Sequence, residues 1–415
     1  MIARMPPGLL AAVAALALLP ACATTPRLAA VPEELDEKAN VPGFGSGIRY
    51  FPRDAAHVEL FKEDLKESWK LEAAWLRTQG HEGPLPPAAY LAISGGGDDG
   101  AFGAGFLNGW TKAGTRPQFK LVTGISTGAL IAPFAFLGPS YDEKLKALYT
   151  GISFNDIGVK RPLYSVLYGD AMVDNAPLRK LVKKHFTKEI LDAVAKEHAK
   201  GRILLVGTTN LDARRPVIWN ITEIAASGRP EALELVRKLL VASAAIPGTF
   251  PPEMIDVEIE HRKYQEMHVD GGTAAQVFVY PPAVSLKELS QEYGDERERT
   301  LYIIRNARLD PEWAQVDRRT LPIAFRAIAS LIQYQGIGDL YRIYAVTRRD
   351  GVGFNLAFIP ATFKAPRATD FDPRYMGALY ELGYHTAAEG YAWSKEPPIL
   401  LSGSESVPPP GEAAK

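Results

Sequence analysis

One short segment of the sequence has the residue types and spacing of a catalytic nucleophile. Ser126 lies between Gly124 and Gly128 in a G-x-S-x-G pattern, after a strand-like apolar stretch and before a helix-like one. A serine at such a sharp strand-to-helix turn is held in a strained backbone conformation, and small residues two positions away let the strand and the helix pack around it. The pattern predicts a serine nucleophile. The alternative is a helix-initiating turn in which Ser126 is a simple cap.

A glycine-rich turn precedes this segment and offers bare backbone N–H groups. After an apolar strand-like stretch, it consists of Gly95, Gly96, Gly97, Asp98 and Gly100, with Asp99 before the last. The same G-x-G-x-x-G pattern occurs in dinucleotide sites, which need an acid about 20 positions further on. No acid lies at 116–125, and two acids inside the turn would repel a pyrophosphate. We predict instead an oxyanion hole beside Ser126, because the carboxyl ends of adjacent parallel strands share one crevice.

A third segment supplies a carboxylate. Asp270 follows a strand-like stretch at 266–269, and Gly271 and Gly272 come directly after it. Two glycines let a backbone or a side chain approach the acid closely. Taken alone, this segment favours a tight turn in which Asp270 is an Asx-type cap.

The three segments together, in this order, resemble the glycine-rich loop, the nucleophile elbow and the D-G-G motif of patatin-like phospholipases. Two further segments resemble the same family: 207–211, after a mid-sheet strand, and 242–252, a run of small residues that ends in F-P-P. The resemblance covers about residues 90–285.

The resemblance implies a serine–aspartate dyad that hydrolyses acyl esters, most of all those of lipids. Ser126 would attack the ester carbonyl, while Asp270 would take its proton and later activate water. Backbone N–H groups of the glycine-rich turn would hold the oxyanion. The family often has Arg or Lys where this sequence has Asp99, preceded by Asp98, which favours lysophospholipids, neutral esters or thioesters over a phospholipid headgroup. Asp99 could instead cap the helix that starts at Gly100.

Two other functions stay open on the sequence. Ser126, Asp270 and His385 occur in the order of an α/β-hydrolase triad, although His385 falls inside a predicted helix. The same scaffold could also bind acyl chains or a membrane partner without catalysis. The histidines show no metal-ligand spacing, so we predict neither a metal nor a cofactor.

The lone cysteine, Cys22, directly follows an N-terminal apolar stretch. Arg4 precedes the stretch at 9–19, which is too short to span a bilayer and is typical of a secretory signal. Residues 19–22, L-P-A-C, resemble the lipobox of bacterial lipoproteins, in which the cysteine becomes the lipid-carrying N-terminus. Alanine at position 23, where that family uses aspartate for inner-membrane retention, implies an exported, lipid-anchored protein of the outer membrane. The alternative is an ordinary cleaved signal beside an accidental cysteine.

Composition excludes several classes of protein. The chain has 47 basic and 48 acidic residues and a net charge of -1, so it lacks the basic excess of a nucleic-acid-binding protein. Its apolar runs are too short for a polytopic membrane protein. The expected partners are a membrane lipid or another acyl ester and, through the anchor, a membrane surface. The oligomeric state stays open.

Periodicity indicates the elements that must position these residues. We expect strands near 90–94, 119–123, 203–207, 217–221, 266–269, 301–305 and 354–359. We expect helices near 54–76, 103–112, 128–137, 177–186, 231–244, 322–335 and 374–393. This alternation predicts a three-layer α/β/α sandwich with a mostly parallel central sheet and a C-terminal helical extension. We divide the chain into a signal peptide (1–21), a tether (22–53), an N-terminal helical segment (54–88), a catalytic domain (89–285), a C-terminal α/β extension (286–402) and a disordered tail (403–415).

Overall fold

A nine-stranded mixed sheet forms the centre of the computed structural model, which describes residues 27–162 and 169–398. In chain order the strands are β1 (Arg49–Tyr50), β2 (Ala88–Ile93), β3 (Phe119–Ile125), β4 (Val159–Lys160), β5 (Val173–Asp174), β6 (Ile203–Asn210), β7 (Arg215–Asn220), β8 (Glu253–Ile259), β9 (Arg262–Asp270), β10 (Arg299–Arg305) and β11 (Gly353–Phe358). Strands β4 and β5 pair only with each other, and the other nine form the sheet.

Five strands of the sheet are parallel, in the order β6, β3, β2, β10 and β11. The remaining four pair antiparallel beside β6: β7 and β1 on one side, β9 and β8 on the other. The sheet is therefore mixed. The short turn between β6 and β7 has no room for a crossover helix, so these two strands form a hairpin.

Helices cover both faces of the sheet. They are α1 (Ala55–Thr78), α2 (Gly100–Lys112), α3 (Thr127–Leu137), α4 (Asp142–Thr150), α5 (Phe154–Ile157), α6 (Ala176–His185), α7 (Lys188–His198), α8 (Ile221–Ala226), α9 (Ala232–Ser243), α10 (Leu286–Tyr293), α11 (Thr320–Asp350) and α12 (Pro373–Ala388). Apolar side chains of α1, α10 and α11 form a buried cluster on one face, and those of α2, α3, α9 and α12 form a second cluster on the other. The predicted α/β/α sandwich is confirmed.

The described part of the predicted tether, residues 27–53, packs on the body. Its apolar side chains Phe44, Ile48 and Phe51 are buried, and β1 pairs with β7. The signal peptide, Cys22 and the predicted tail at 403–415 lie outside the described residues. Among the described helices, none has the length and apolarity that crossing a membrane requires.

Candidate active site

The nucleophile turn joins β3 to α3. Ser126 lies between them with φ 55° and ψ -126°, a conformation that side chains other than glycine rarely adopt. A Cβ atom on Gly124 would lie 2.4 Å from the Gly128 carbonyl oxygen, and one on Gly128 would lie 2.3 Å from the Ile93 carbonyl oxygen. The two glycines of the motif therefore allow the strand and the helix to approach each other closely on either side of the serine.

The hydroxyl of Ser243, at the end of α9, connects the nucleophile turn to β6 by hydrogen bonds. The Ser126 N–H donates to the Ser243 hydroxyl at 3.0 Å, and that hydroxyl donates to the Gly207 carbonyl at 2.6 Å. In the sequence this residue is only one of the small residues of the run 242–252, and no role was predicted for it. A buried hydroxyl that joins two strand ends leaves no local pattern that could reveal it.

The register of β3 and β9 on β6 brings Asp270 next to Ser126. Strand β3 pairs with the first part of β6 and ends at Ile125, opposite Gly207. Strand β9 then takes over the same edge of β6, with Asp270 opposite Thr208. The first residue after β3 and the last residue of β9 are consequently neighbours, although they are far apart in sequence.

Ser126 and Asp270 form a direct hydrogen bond. The Ser126 hydroxyl donates to Asp270 Oδ2 at 2.6 Å, and the Gly272 N–H donates to Asp270 Oδ1 at 2.7 Å. Ser126 is only 7% exposed and Asp270 only 5%. Burial raises the pKa of Asp270 to about 7, and the two hydrogen bonds partly oppose this rise. The carboxylate is therefore oriented toward the serine and titrates near neutral pH.

The glycine-rich turn follows β2 and lies beside the serine. The Gly95 N–H donates to the Gln276 carbonyl at 3.0 Å, so this group of the predicted oxyanion hole is already engaged. The N–H groups of Gly96 and Gly97 donate to no acceptor among the described residues. Gly97 has φ +60°, and a Cβ atom there would meet nothing within 4 Å. The Asp98 N–H likewise donates to no acceptor in another described residue, so three N–H groups of the turn remain for an oxyanion.

The two acids of the turn contact the segment that leads into α12. Asp98 accepts hydrogen bonds from the Phe371 N–H at 2.9 Å and forms an ion pair with Arg367 at 3.0 Å. Asp99 accepts from the Tyr375 hydroxyl at 2.6 Å, and burial raises its pKa to about 7. Asp99 occupies the N-cap position of α2 but its side chain makes no capping hydrogen bond there. Both acids therefore bind the C-terminal part of the chain.

Gln276 links the elements of the site. Its carbonyl accepts from Gly95, and its side-chain amide donates to the Gly272 carbonyl at 2.8 Å. Its own N–H donates to Asp339 of α11 at 2.6 Å. The sequence carries no signal for this link, because its members come from three distant segments.

An apolar cavity opens next to the nucleophile. Its empty volume is about 550 Å³, including its opening to solvent. Thr127, the residue after the nucleophile, lines it together with Leu130, Val182, Phe186 and Phe371. The site therefore combines a hydrogen-bonded serine with a cavity that suits a hydrocarbon chain.

No described histidine hydrogen-bonds to Ser126 or Asp270, although His185 lines the cavity. His385 lies on α12 with an exposed side chain that faces Glu381 at 3.4 Å, so the structure contradicts the triad alternative. His268 is buried and pairs with Glu266 and Thr208. The described residues contain no cluster of three or more side chains that could hold a metal ion.

Fold and site together define an α/β/α protein with a serine elbow facing a strand-end carboxylate. Residues 91–282, somewhat less than half of the chain, match the family model of patatin-like phospholipases. The resemblance predicted from the sequence motifs is confirmed.

Comparisons with individual proteins give only distant similarities. No curated protein matches the chain. VipD from Legionella pneumophila is similar at 12% identity and a TM-score of 0.36, covering 72% of this chain and 66% of VipD. Human GIVD cytosolic phospholipase A2 has 11% identity and a TM-score of 0.29, covering 80% and 53%. The type III effector protein ExoU has 12% identity and a TM-score of 0.22, covering 74% and 53%. The chain thus spans about two thirds of VipD and about half of the other two.

Proposed function

We propose that this protein is a serine hydrolase that cleaves acyl esters of lipids with Ser126 and Asp270 as its catalytic dyad. The observation that carries the proposal is the 2.6 Å hydrogen bond from the Ser126 hydroxyl to Asp270, at a strained turn. The family match of residues 91–282 supports a lipid substrate.

Asp270 serves as the general base in both halves of the reaction. Its carboxylate takes the hydroxyl proton as Ser126 Oγ attacks the ester carbonyl, and the proton passes to the departing alcohol when the acyl-enzyme forms. Asp270 then takes a proton from water, whose oxygen attacks the acyl-enzyme and releases the fatty acid and Ser126. A base works best with a pKa near the operating pH, and the pKa of Asp270 is about 7.

Gly96 and Gly97 stabilise the oxyanion. Their backbone N–H groups have no acceptor among the described residues and belong to the turn that Gln276 fixes beside the elbow. Donors placed before the reaction stabilise the charge that develops on the carbonyl oxygen. The Asp98 N–H is equally free, so we propose the groups of Gly96, Gly97 and Asp98 and leave out only Gly95, whose N–H is engaged.

The apolar cavity takes the acyl chain of the substrate. Its lining is almost entirely hydrocarbon and begins at Thr127, the residue after the nucleophile. The acids of the turn are committed to Arg367 and Tyr375, and they supply no positive charge for a phosphate. This supports neutral esters or thioesters among the substrates that the sequence suggests, because a lysophospholipid still carries the phosphate.

An active-site fluorophosphonate probe tests the proposal. Wild-type protein should be labelled, Ser126→Ala should not, and the exposed Ser46→Ala should label as the wild type does. No labelling of the wild type would support the catalytically silent scaffold. His385→Ala should retain labelling and activity, because its side chain is exposed on α12 and faces Glu381, while Ser126 hydrogen-bonds directly to Asp270.

The lipid anchor at Cys22 is a separate proposal that rests on the sequence. Metabolic labelling with a fatty acid should modify the wild type and leave Cys22→Ala unmodified. Fractionation should place the wild type in the outer membrane. Equal labelling of both proteins would exclude Cys22 as the attachment point.

A further inference from the structure

The N-terminal half of α11 turns its apolar side chains toward solvent, whereas an ordinary amphipathic helix turns them toward the protein. All of residues 311–335 are exposed or half-buried, and the buried residues of α11 begin at Gly336. Exposed large apolar side chains in this half are Leu321, Ile323, Phe325, Ile328, Leu331, Ile332 and Tyr334, which we call the apolar face of α11. At 3.6 residues per turn they spread over about 200° of the helix circumference.

The polar stripe of the same half faces the protein. Gln333 donates to the carbonyls of Arg308 and Asp310, and Arg326 donates to the carbonyl of Glu312. Helices on globular proteins usually turn their apolar side inward. Here the apolar face points outward, so it needs an apolar environment that the described part of the chain does not supply.

This half of the helix projects beyond the edge of the sheet that carries the site. Strand β10 is parallel to β2 and β3 and ends at the same edge, and α11 returns from there to the opposite edge, where β11 begins. Asp339 contacts Gln276 and so lies level with the site. Residues 320–335 of the helix lie beyond that level and are about 22 Å long at 1.5 Å per residue.

Polar and aromatic residues at the start of the helix complete the surface. Trp313 is 88% exposed, and Arg318 and Arg319 follow it, with Arg319 ion-paired to Asp317 at 2.6 Å. Tryptophan and arginine are typical of the level of lipid headgroups. An apolar arc of about 200° is wider than the stripe of about 100° that packs against a protein surface. These features favour a lipid bilayer over a groove of another protein.

We infer that the apolar face of α11 inserts into the surface of a lipid bilayer and brings the opening of the active site to the lipid. The inference deepens the proposed function and rests on it for its purpose, which is to deliver a lipid ester to Ser126. A helix of this kind lies within about 5–10 Å of the headgroup boundary. Insertion uses Leu331 and its neighbours and does not require the lipid on Cys22.

A fluorophore on a single cysteine tests the insertion directly. In the full chain with Cys22→Ala, Leu331→Cys carries an environment-sensitive dye, and Val159→Cys, also exposed, is the matched control. With vesicles of equal parts phosphatidylethanolamine and phosphatidylglycerol, the dye at 331 should shift to the blue and be quenched by brominated lipid, while the dye at 159 should not. A dye at 331 that stays in water on vesicle-bound protein overturns the inference, and so does a blue shift without vesicles that accompanies dimer formation.

A second measurement separates this inference from the proposed function. The ratio of vesicle hydrolysis to hydrolysis of a short soluble ester should fall by roughly tenfold in Ile328→Ser/Leu331→Ser, because two apolar side chains no longer enter the lipid. The matched variant Leu28→Ser/Val159→Ser should keep the wild-type ratio. An unchanged ratio in the first variant contradicts the inference. Absence of any hydrolysis refutes only the proposed function, since the dye at 331 reports insertion in Ser126→Ala as well.

Discussion

At the scale of single residues, the site depends on one carboxylate that is costly to ionise. Asp270 is buried and receives two hydrogen bonds, from Ser126 and Gly272. Burial favours its neutral form, whereas the proposed chemistry needs the charged form. The same group should therefore set the pH dependence of activity and lower the stability of the fold at neutral pH.

The first prediction concerns activity against pH. Because Asp270 must be ionised, kcat/KM should fall about tenfold per pH unit below the pKa of about 7. Asp99 also titrates near 7, so Asp99→Asn is the matched control and should keep the acid limb. A profile that stays flat down to about pH 4, or an acid limb lost in Asp99→Asn, would contradict Asp270 as the base.

The second prediction concerns stability against pH. The pKa of Asp270 is about 7 in the folded chain against an ordinary 3.8, so it favours the folded state below the ordinary pKa, and this contribution is lost as the pH rises through about 7. Asn at this position is neutral throughout. Asp270→Asn should therefore gain melting temperature relative to wild type from about pH 5 to about pH 8. A difference in melting temperature that is independent of pH would show that folding does not raise the pKa of Asp270.

The third prediction concerns Ser243. Ser243→Ala leaves the Ser126 N–H and the Gly207 carbonyl without their partner, at about 1–3 kcal/mol. We expect kcat to fall by roughly tenfold or more as the nucleophile turn loosens. Ser290→Ala is the control, because Ser290 is equally buried but its hydroxyl has no hydrogen-bond partner among the described residues. Equal kcat values for the two variants would show that the nucleophile turn keeps its conformation without the Ser243 hydroxyl.

At the scale of elements, glycines determine how closely the site's strands and helices pack. Gly128 brings α3 against the end of β2, and Gly271 brings the Asp270 turn against Gly207 of β6. The motifs identified both glycines in the sequence, because the absence of a side chain can be read at a single position.

The length of α11 could not be read in this way. The sequence predicted a helix at 322–335, whereas the helix continues to Asp350. Gly336 does not end it, because that glycine packs against Arg305.

The fourth prediction tests this packing. Gly128→Ala would place a Cβ atom 2.3 Å from the Ile93 carbonyl, so α3 must move away from β2. We expect a loss of stability of about 1–3 kcal/mol and loss of labelling by the fluorophosphonate probe. Gly377→Ala on α12 meets nothing within 4 Å and should be neutral or stabilise the helix by up to about 1 kcal/mol. Wild-type labelling of Gly128→Ala would show that the turn tolerates the shift.

At the scale of the whole molecule, the C-terminal part is built into the sheet. Strands β10 and β11 lie beyond the matched residues 91–282, yet β10 pairs directly with β2. Helix α12 packs so closely on α2 that a Cβ atom on Gly105 would lie 2.0 Å from the Tyr380 carbonyl. The acids of the glycine-rich turn also depend on this part, through Arg367 and Tyr375.

The fifth prediction follows from that arrangement. A chain that ends at residue 285 should fail to fold, because β2 loses a partner and α2 loses the cover of α12. A chain that lacks only the predicted tail, 403–415, should unfold in urea with the same single transition as the full chain. A soluble, cooperatively unfolding chain ending at 285 would instead support the predicted division between a catalytic domain and an extension.

The local chemistry of this protein can be read from short stretches of its sequence. Ser126 between two glycines, the glycine-rich turn and Asp270 were all visible, because each depends on backbone geometry that a few neighbouring residues dictate. The alternation of strands and helices likewise gave the layers of the fold. Strand β8 escaped notice although its alternating buried and exposed residues carried a signal.

Only the tertiary structure decided which distant groups meet. The register of β9 on β6 places Asp270 beside Ser126, and the hydroxyl of Ser243 and the amide of Gln276 reach the site from other segments. It also decided that the apolar face of α11 points outward. Such contacts depend on topology, and no spacing within one segment encodes them.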